Sequence, residues 1–101
     1  MNADFDNYGG ARADEIELLH EILTDLRQLT AWVRQDSRDL DDMELRAEHD
    51  LEAGAVSPLA YAIDIEEIRR GREVAICCLR DYERQHKIVV RRLIELQATT
   101  K

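Results

Sequence analysis

The sequence predicts an all-α fold, an antiparallel helical hairpin of two long helices that dimerises into a four-helix bundle. Apolar residues recur at alternating spacings of three and four in two long stretches, and one short segment separates those stretches. Charged residues make up 36% of the chain, with one proline and four glycines, which suits solvent-exposed helices and argues against a β-sandwich or a disordered chain. Two helices within 101 residues bury little apolar surface by themselves, so we expect a second copy to complete the core.

The first helix is expected over residues 13–53, after a flexible N-terminal arm at residues 1–12 that lacks apolar periodicity. The helical hairpin domain then covers residues 13–101. Ser37 is also a suitable N-cap, so a break near residues 36–38, giving three helices, is the alternative. The seam of this helix contains Ile16, Leu19, Leu23, Leu26, Thr30, Val33, Ser37, Leu40, Glu44, Ala47 and Leu51.

A turn is expected at residues 54–57, because Gly54 suits a helix C-terminus, Ser57 an N-cap and Pro58 a first helical position. The second helix follows over residues 58–98. Gly71 lies beside its seam, where it permits a close backbone approach or a bend. The seam residues are Tyr61, Ile65, Ile68, Arg72, Ala75, Leu79, Tyr82, His86, Val89, Leu93 and Leu96.

Charge supports an antiparallel pairing of the two helices. Residues 13–53 carry thirteen acids and four bases, whereas residues 58–101 carry seven acids and nine bases. A turn centred near residues 55–56 sets residue n level with a residue close to 111 − n. This register brings a basic group beside an acidic one, namely Arg69, Arg70 and Arg72 beside Asp36, Asp39, Asp41 and Asp42.

The first helix carries apolar residues outside its seam, and these predict association. They are Leu18, Ile22, Leu29 and Trp32. The second helix has a similar excess at Ile76, Ile88, Val90 and Ile94. Because exposed apolar surface marks protein contacts, we expect a homodimer through this end of the hairpin, with Trp32 as an anchor for a second copy or for another protein.

The acidic run from Asp36 to Glu52 is the second candidate binding surface. Closely spaced carboxylates on a rigid helix imitate a phosphate backbone, so the chain is expected to engage an unknown partner protein. In the most specific form of this hypothesis, the chain inhibits that partner by occupying its nucleic-acid site. The candidate residues are Asp36, Asp39, Asp41 and Asp42. The alternative is that this run is only a solvated face.

Two Glu-x-x-His patterns suggest a metal alternative. Glu17 and His20 form one pattern, and Glu83 and His86 form the other. This spacing places a carboxylate and an imidazole on one helix face, as in four-helix di-iron carboxylate proteins. Ion pairing is the favoured interpretation, with His20 near Glu17 and Glu21 and with His86 near Asp25. No cofactor is therefore expected.

Catalysis is not expected, because the sequence contains no phosphate-binding loop, nucleophile elbow or zinc pattern. Residues 69–92 hold eight bases and three acids, which makes an RNA-binding hairpin dimer an alternative, but the net charge of −8 opposes nonspecific binding to nucleic acid. Neither a membrane span nor a signal peptide is expected. The adjacent Cys77 and Cys78 cannot form a normal disulfide with each other in a helix, which suggests a reducing cytoplasm.

Overall fold

The computed structural model describes residues 2–98, and the side chains of residues 10–98. Two helices, α1 (Asn2–Glu52) and α2 (Pro58–Ala98), pack against each other, and residues 2–98 contain no strand. The all-α two-helix hairpin is thereby confirmed. Helix α1 runs without a break through Ser37, so the three-helix alternative is wrong.

The start of the first helix differs from the prediction. Helix α1 begins at Asn2 rather than near residue 13, so residues 2–12 belong to the helix instead of preceding it. The predicted flexibility of residues 1–12 stays a prediction. The second helix has the expected bounds, and α1 ends one residue before the expected position.

The turn uses the residues that the sequence predicts. Gly54 has a φ of 73°, a left-handed conformation that glycine adopts without the steric cost of a side chain. The Gly54 N–H donates to Leu51 O (3.1 Å) and the Ala55 N–H to Asp50 O (2.9 Å), which is the Schellman arrangement for closing a helix. Ser57 Oγ accepts from the Ala60 N–H (3.1 Å) and caps α2.

The apolar seam is confirmed on both helices, because every predicted seam residue is buried or half-buried. Contacts divide the chain into two compact units, which are described separately. The terminal unit contains α1 up to Leu29 and α2 from Tyr82, and the turn unit runs from Thr30 to Asp81.

In the terminal unit, an aliphatic core joins the two helices. Leu23 of α1 forms a buried cluster with Val89 and Leu93 of α2. At the edge of this core, Arg92 Nε donates to Glu15 Oε1 at 2.8 Å. The guanidinium of Arg92 lowers the pKa of Glu15 below its usual value, mainly through this hydrogen bond. Residues packed against the cluster are Ile16, Leu19, Ile22 and Val90.

In the turn unit, a close approach and an ion pair lie between the helices. A methyl group in place of the Gly71 hydrogen would stand 3.1 Å from Leu40 Cδ1, so glycine allows the two helices to approach here. Arg72 binds Glu44, and its Nη2 also donates to Asp41 Oδ1 at 2.9 Å. The hydrogen bond that Arg72 donates to the Glu44 carboxylate is the main cause of the raised pKa of Arg72.

These contacts agree with the predicted register inside each unit. Leu40 and Gly71 have numbers that sum to 111. The predicted pairing of charges between the helices is wrong for Arg70, which binds Glu66 of its own helix at 3.4 Å instead of an acid of α1.

Candidate functional site

The terminal unit exposes apolar side chains that its own core does not cover. Leu18 is 54% exposed, Ile88 62% and Ile94 61%. Ile22 and Leu29 are half-buried, and Ile22 packs against the aliphatic core. The unit therefore presents large aliphatic groups to solvent beside the residues that hold its helices together.

Trp32 belongs to the turn unit, where its side chain is 58% exposed. Asp36, Asp39 and Met43 follow it at spacings of four, three and four residues, so the four side chains share one side of α1. Met43 is half exposed. This side of α1 thus has an aromatic group at one end, a thioether at the other and two aspartates between them.

The four candidate aspartates of α1 have different surroundings. Asp41 accepts from Arg72 and is engaged inside the unit. Asp39 accepts from the neutral amide of Gln35, whose Nε2 lies 3.0 Å from its Oδ1, while Arg38 donates to the Gln35 carbonyl oxygen instead. None of these aspartates is buried.

Asp36 and Asp39 line a shallow groove of about 490 Å³ between α1 and α2 within the turn unit. Leu40 and Gly71, which touch across the two helices, lie in this groove, and Arg70 borders it. The other lining residues are Met43 and the exposed Val74. Asp41 and Asp42 do not line the groove, so the structure brings only two of the four predicted aspartates to it.

Sequence reasoning identified Gly71 and the aspartates but did not join them. The sequence predicts Gly71 beside the seam and Asp36 beside arginines of α2, and the register of 111 places residue 40 level with residue 71. Applying that register to Gly71 would have revealed the groove. Met43 and Val74 were missed because isolated exposed apolar residues carry no strong signal in a sequence.

At least four of the eight basic residues at positions 69–92 form ion pairs with acids of the same chain. Arg72 and Arg92 bind acids of α1, while Arg70 binds Glu66 and Lys87 binds Glu83 at 3.6 Å. A second shallow groove, of about 380 Å³, lies along α2 in the terminal unit and mixes basic and apolar groups. It is lined by His86, Lys87, Val90, Arg91, Ile94 and Glu95.

The histidine pairings expected from the sequence are absent among the side chains of residues 10–98. His86 is half-buried in the seam without an ion pair to Asp25, and His20 is exposed without one to Glu17 or Glu21. Glu83 binds Lys87 rather than pairing with His86. The ion pairs expected for the two histidines are therefore not formed among the described side chains.

No three His, Cys, Asp or Glu side chains within the described part of the chain are grouped so that they could hold a metal ion. Glu17, His20, Glu83 and His86 are thus not brought together as a metal site within one chain. Cys77 is exposed and Cys78 half-buried, and both are free thiols.

Comparisons with protein-family models, with curated proteins and with solved structures gave no match to this chain. Neither helix, over residues 2–98, is apolar enough over a sufficient length to cross a membrane.

Proposed function

We propose that this chain is a small, acidic, non-enzymatic binding protein of the cytoplasm that self-associates and engages a partner protein. The observation that carries the proposal is the exposed aliphatic surface of the terminal unit. Leu18, Ile88 and Ile94 are each more than half exposed, and they lie in the same unit as the core residues Leu23 and Val89. Apolar groups so arranged gain free energy when a second surface removes them from water.

Self-association into a four-helix bundle is the form of contact that these residues favour. The core of one chain is thin, since none of the described side chains is less than 2% exposed. A second hairpin would supply two further helices and cover Leu18, Ile22 and Leu29, as in other four-helix bundles. Trp32 is available to a second copy or to another protein.

A double substitution, Leu18→Ser with Ile88→Ser, tests the self-association. We expect it to convert a dimer into a monomer in sedimentation equilibrium, while circular dichroism reports unchanged helix content, because both side chains lie outside the aliphatic core. Leu45→Ser is the matched control, since Leu45 is 64% exposed but lies in the turn unit. A double variant that keeps the dimer mass, or a control that loses it equally, contradicts the proposal.

Binding of a foreign partner is assigned to the acidic stretch of α1, in which Asp36, Asp39 and Asp42 are exposed. The turn unit carries thirteen acids and seven bases, which favours a basic partner. Nucleic acid is disfavoured because Arg72, Arg92 and Lys87 already face acids of the same chain. Metal-dependent chemistry has no grouped ligands among the described residues to support it.

A further inference from the structure

We propose that the groove beside Gly71 binds an amphipathic helix of another protein, one that carries two Lys or Arg side chains about one turn apart with large apolar side chains on either side. This inference rests on the proposed partner binding and names the partner's chemistry. It also moves the site from four aspartates to two, Asp36 and Asp39.

The negative charge of the groove favours a partner with cationic side chains. Asp36 has no ion pair among the described side chains, and Asp39 accepts only from the uncharged amide of Gln35. Arg70, the basic residue of the groove, binds Glu66 on its own helix rather than either aspartate. Two unneutralised carboxylates three residues apart, in a unit with a net charge of −6, therefore match two cationic side chains on successive turns of a helix.

The apolar groups of the groove require an amphipathic partner rather than a polycation. Met43 is half exposed and Val74 is 62% exposed on opposite helices of the groove, and Leu40 lies between them. Trp32 precedes Asp36 by four residues and continues the same side of α1. A helix that places apolar side chains on Met43 and Trp32 and cations between them satisfies every group along this side.

The length of the surface sets the length of the partner. Met43 lies eleven positions after Trp32, which at 1.5 Å per residue corresponds to about 16 Å, or three turns of a docked helix. Gly71 keeps the groove open, because a side chain at this position would project toward Leu40. A short helical segment therefore suffices, and a whole second domain is not needed for recognition.

The single tryptophan provides a direct test with the full chain. The probe is a synthetic helical peptide of about four turns that lacks tryptophan and carries two Lys between Leu residues on one face. We expect it to shift Trp32 emission to the blue and to bind less tightly as salt rises from about 0.1 M to about 1 M, because the screening length shortens. The control peptide has Glu in place of both Lys and is expected not to bind.

Variants of the groove test which residues bind the peptide. The double variant Asp36→Asn with Asp39→Asn is expected to weaken peptide binding about tenfold or more, since both cations lose their carboxylates. Asp64→Asn is the matched control, an exposed aspartate of α2 in the same unit but outside the groove, and we expect a change of less than about twofold. Circular dichroism verifies that both proteins keep their helix content.

Equal affinity for the Lys and Glu peptides, or an equal loss from Asp64→Asn, overturns the inference, because binding would then be nonspecific. A Trp32 emission shift that follows protein concentration and excludes the peptide also overturns it, because a second copy would then occupy the groove. Failure of the unmodified protein to bind the Lys peptide, while it still self-associates, refutes this inference and leaves the proposed self-association standing.

Discussion

The terminal unit and the turn unit hold the same two helices together by different means. The terminal unit relies on an aliphatic cluster around Leu23, Val89 and Leu93. The turn unit combines buried Ile65 and Ile68 with a helix approach at Gly71 and a half-buried ion pair of Arg72. One continuous heptad seam therefore accommodates an apolar interior in the terminal unit and a partly charged interior in the turn unit. The exposed surfaces differ too, since the terminal unit exposes aliphatic groups and the turn unit exposes aspartates.

The largest effect is expected in the aliphatic cluster. Leu93→Ala removes a side chain that is 6% exposed, and the lost transfer free energy and the cavity together should lower the free energy of unfolding by about 2–5 kcal/mol. Urea denaturation at fixed protein concentration measures the change. The same substitution at Leu59, which is 72% exposed, is the control and should have little effect.

A second substitution examines the close approach in the turn unit. Gly71→Val introduces methyl groups against Leu40, and overpacking should cost about 1–3 kcal/mol of unfolding free energy. Gly10→Val is the matched control, because a methyl group at this position would meet no neighbouring atom of the described residues within 4 Å. If both variants have the same thermal stability, the helices do not depend on glycine for their approach.

The N-cap of α2 tests the turn between the helices. Ser57→Ala removes the acceptor for the Ala60 N–H and should lower the free energy of unfolding by about 1 kcal/mol. Ser37→Ala is the control, since Ser37 lies inside the continuous α1 and caps no helix. A larger loss from the Ser37 variant would indicate that α1 is interrupted there.

The ion pair of the turn unit is expected to contribute less than the aliphatic cluster. Arg72→Met keeps the apolar stem and leaves Glu44 and Asp41 without their guanidinium. We expect a loss of thermal stability that shrinks at high salt, because partly exposed charges are screened. A loss as large as that of Leu93→Ala would erase the distinction between the two units.

The smallest expected effect is on the pH dependence of stability, through the ion pair of Glu15 and Arg92 in the terminal unit. The pKa of Glu15 is lower in the folded chain than in the unfolded chain because Arg92 donates to its carboxylate. The stabilisation that Glu15 contributes is therefore present above its unfolded-state pKa of about 4.3 and is lost as pH falls through its folded-state pKa. In Arg92→Gln, unfolding curves should lose this part of their acid dependence. An unchanged acid dependence contradicts the role given to the pair.

Much of the fold was predictable from the sequence, because helical periodicity and turn chemistry are local signals. Gly54, Ser57 and Pro58 fixed the turn, and the charge of the two stretches indicated their register. The start of α1 was not predictable in this way, since residues 2–12 lack apolar spacing and two glycines disfavour a helix there.

The candidate sites were predictable only as residue types. The sequence identified Asp36, Asp39 and Trp32 as candidates. Arg72 binds Asp41 rather than another aspartate because of the side of α1 that each aspartate occupies relative to α2. The histidine pairing shows the same dependence, because His86 and Asp25 are level by number but no ion pair joins them among the described side chains. Register gives the level of a residue, whereas contacts also require the direction of its side chain.

The most direct test of the central claim, that the exposed apolar surface serves protein association, is sedimentation equilibrium of the unmodified full chain across a wide range of concentrations. The account predicts a mass of two chains that declines toward 11.7 kDa on dilution. A mass of one chain at every concentration would contradict self-association.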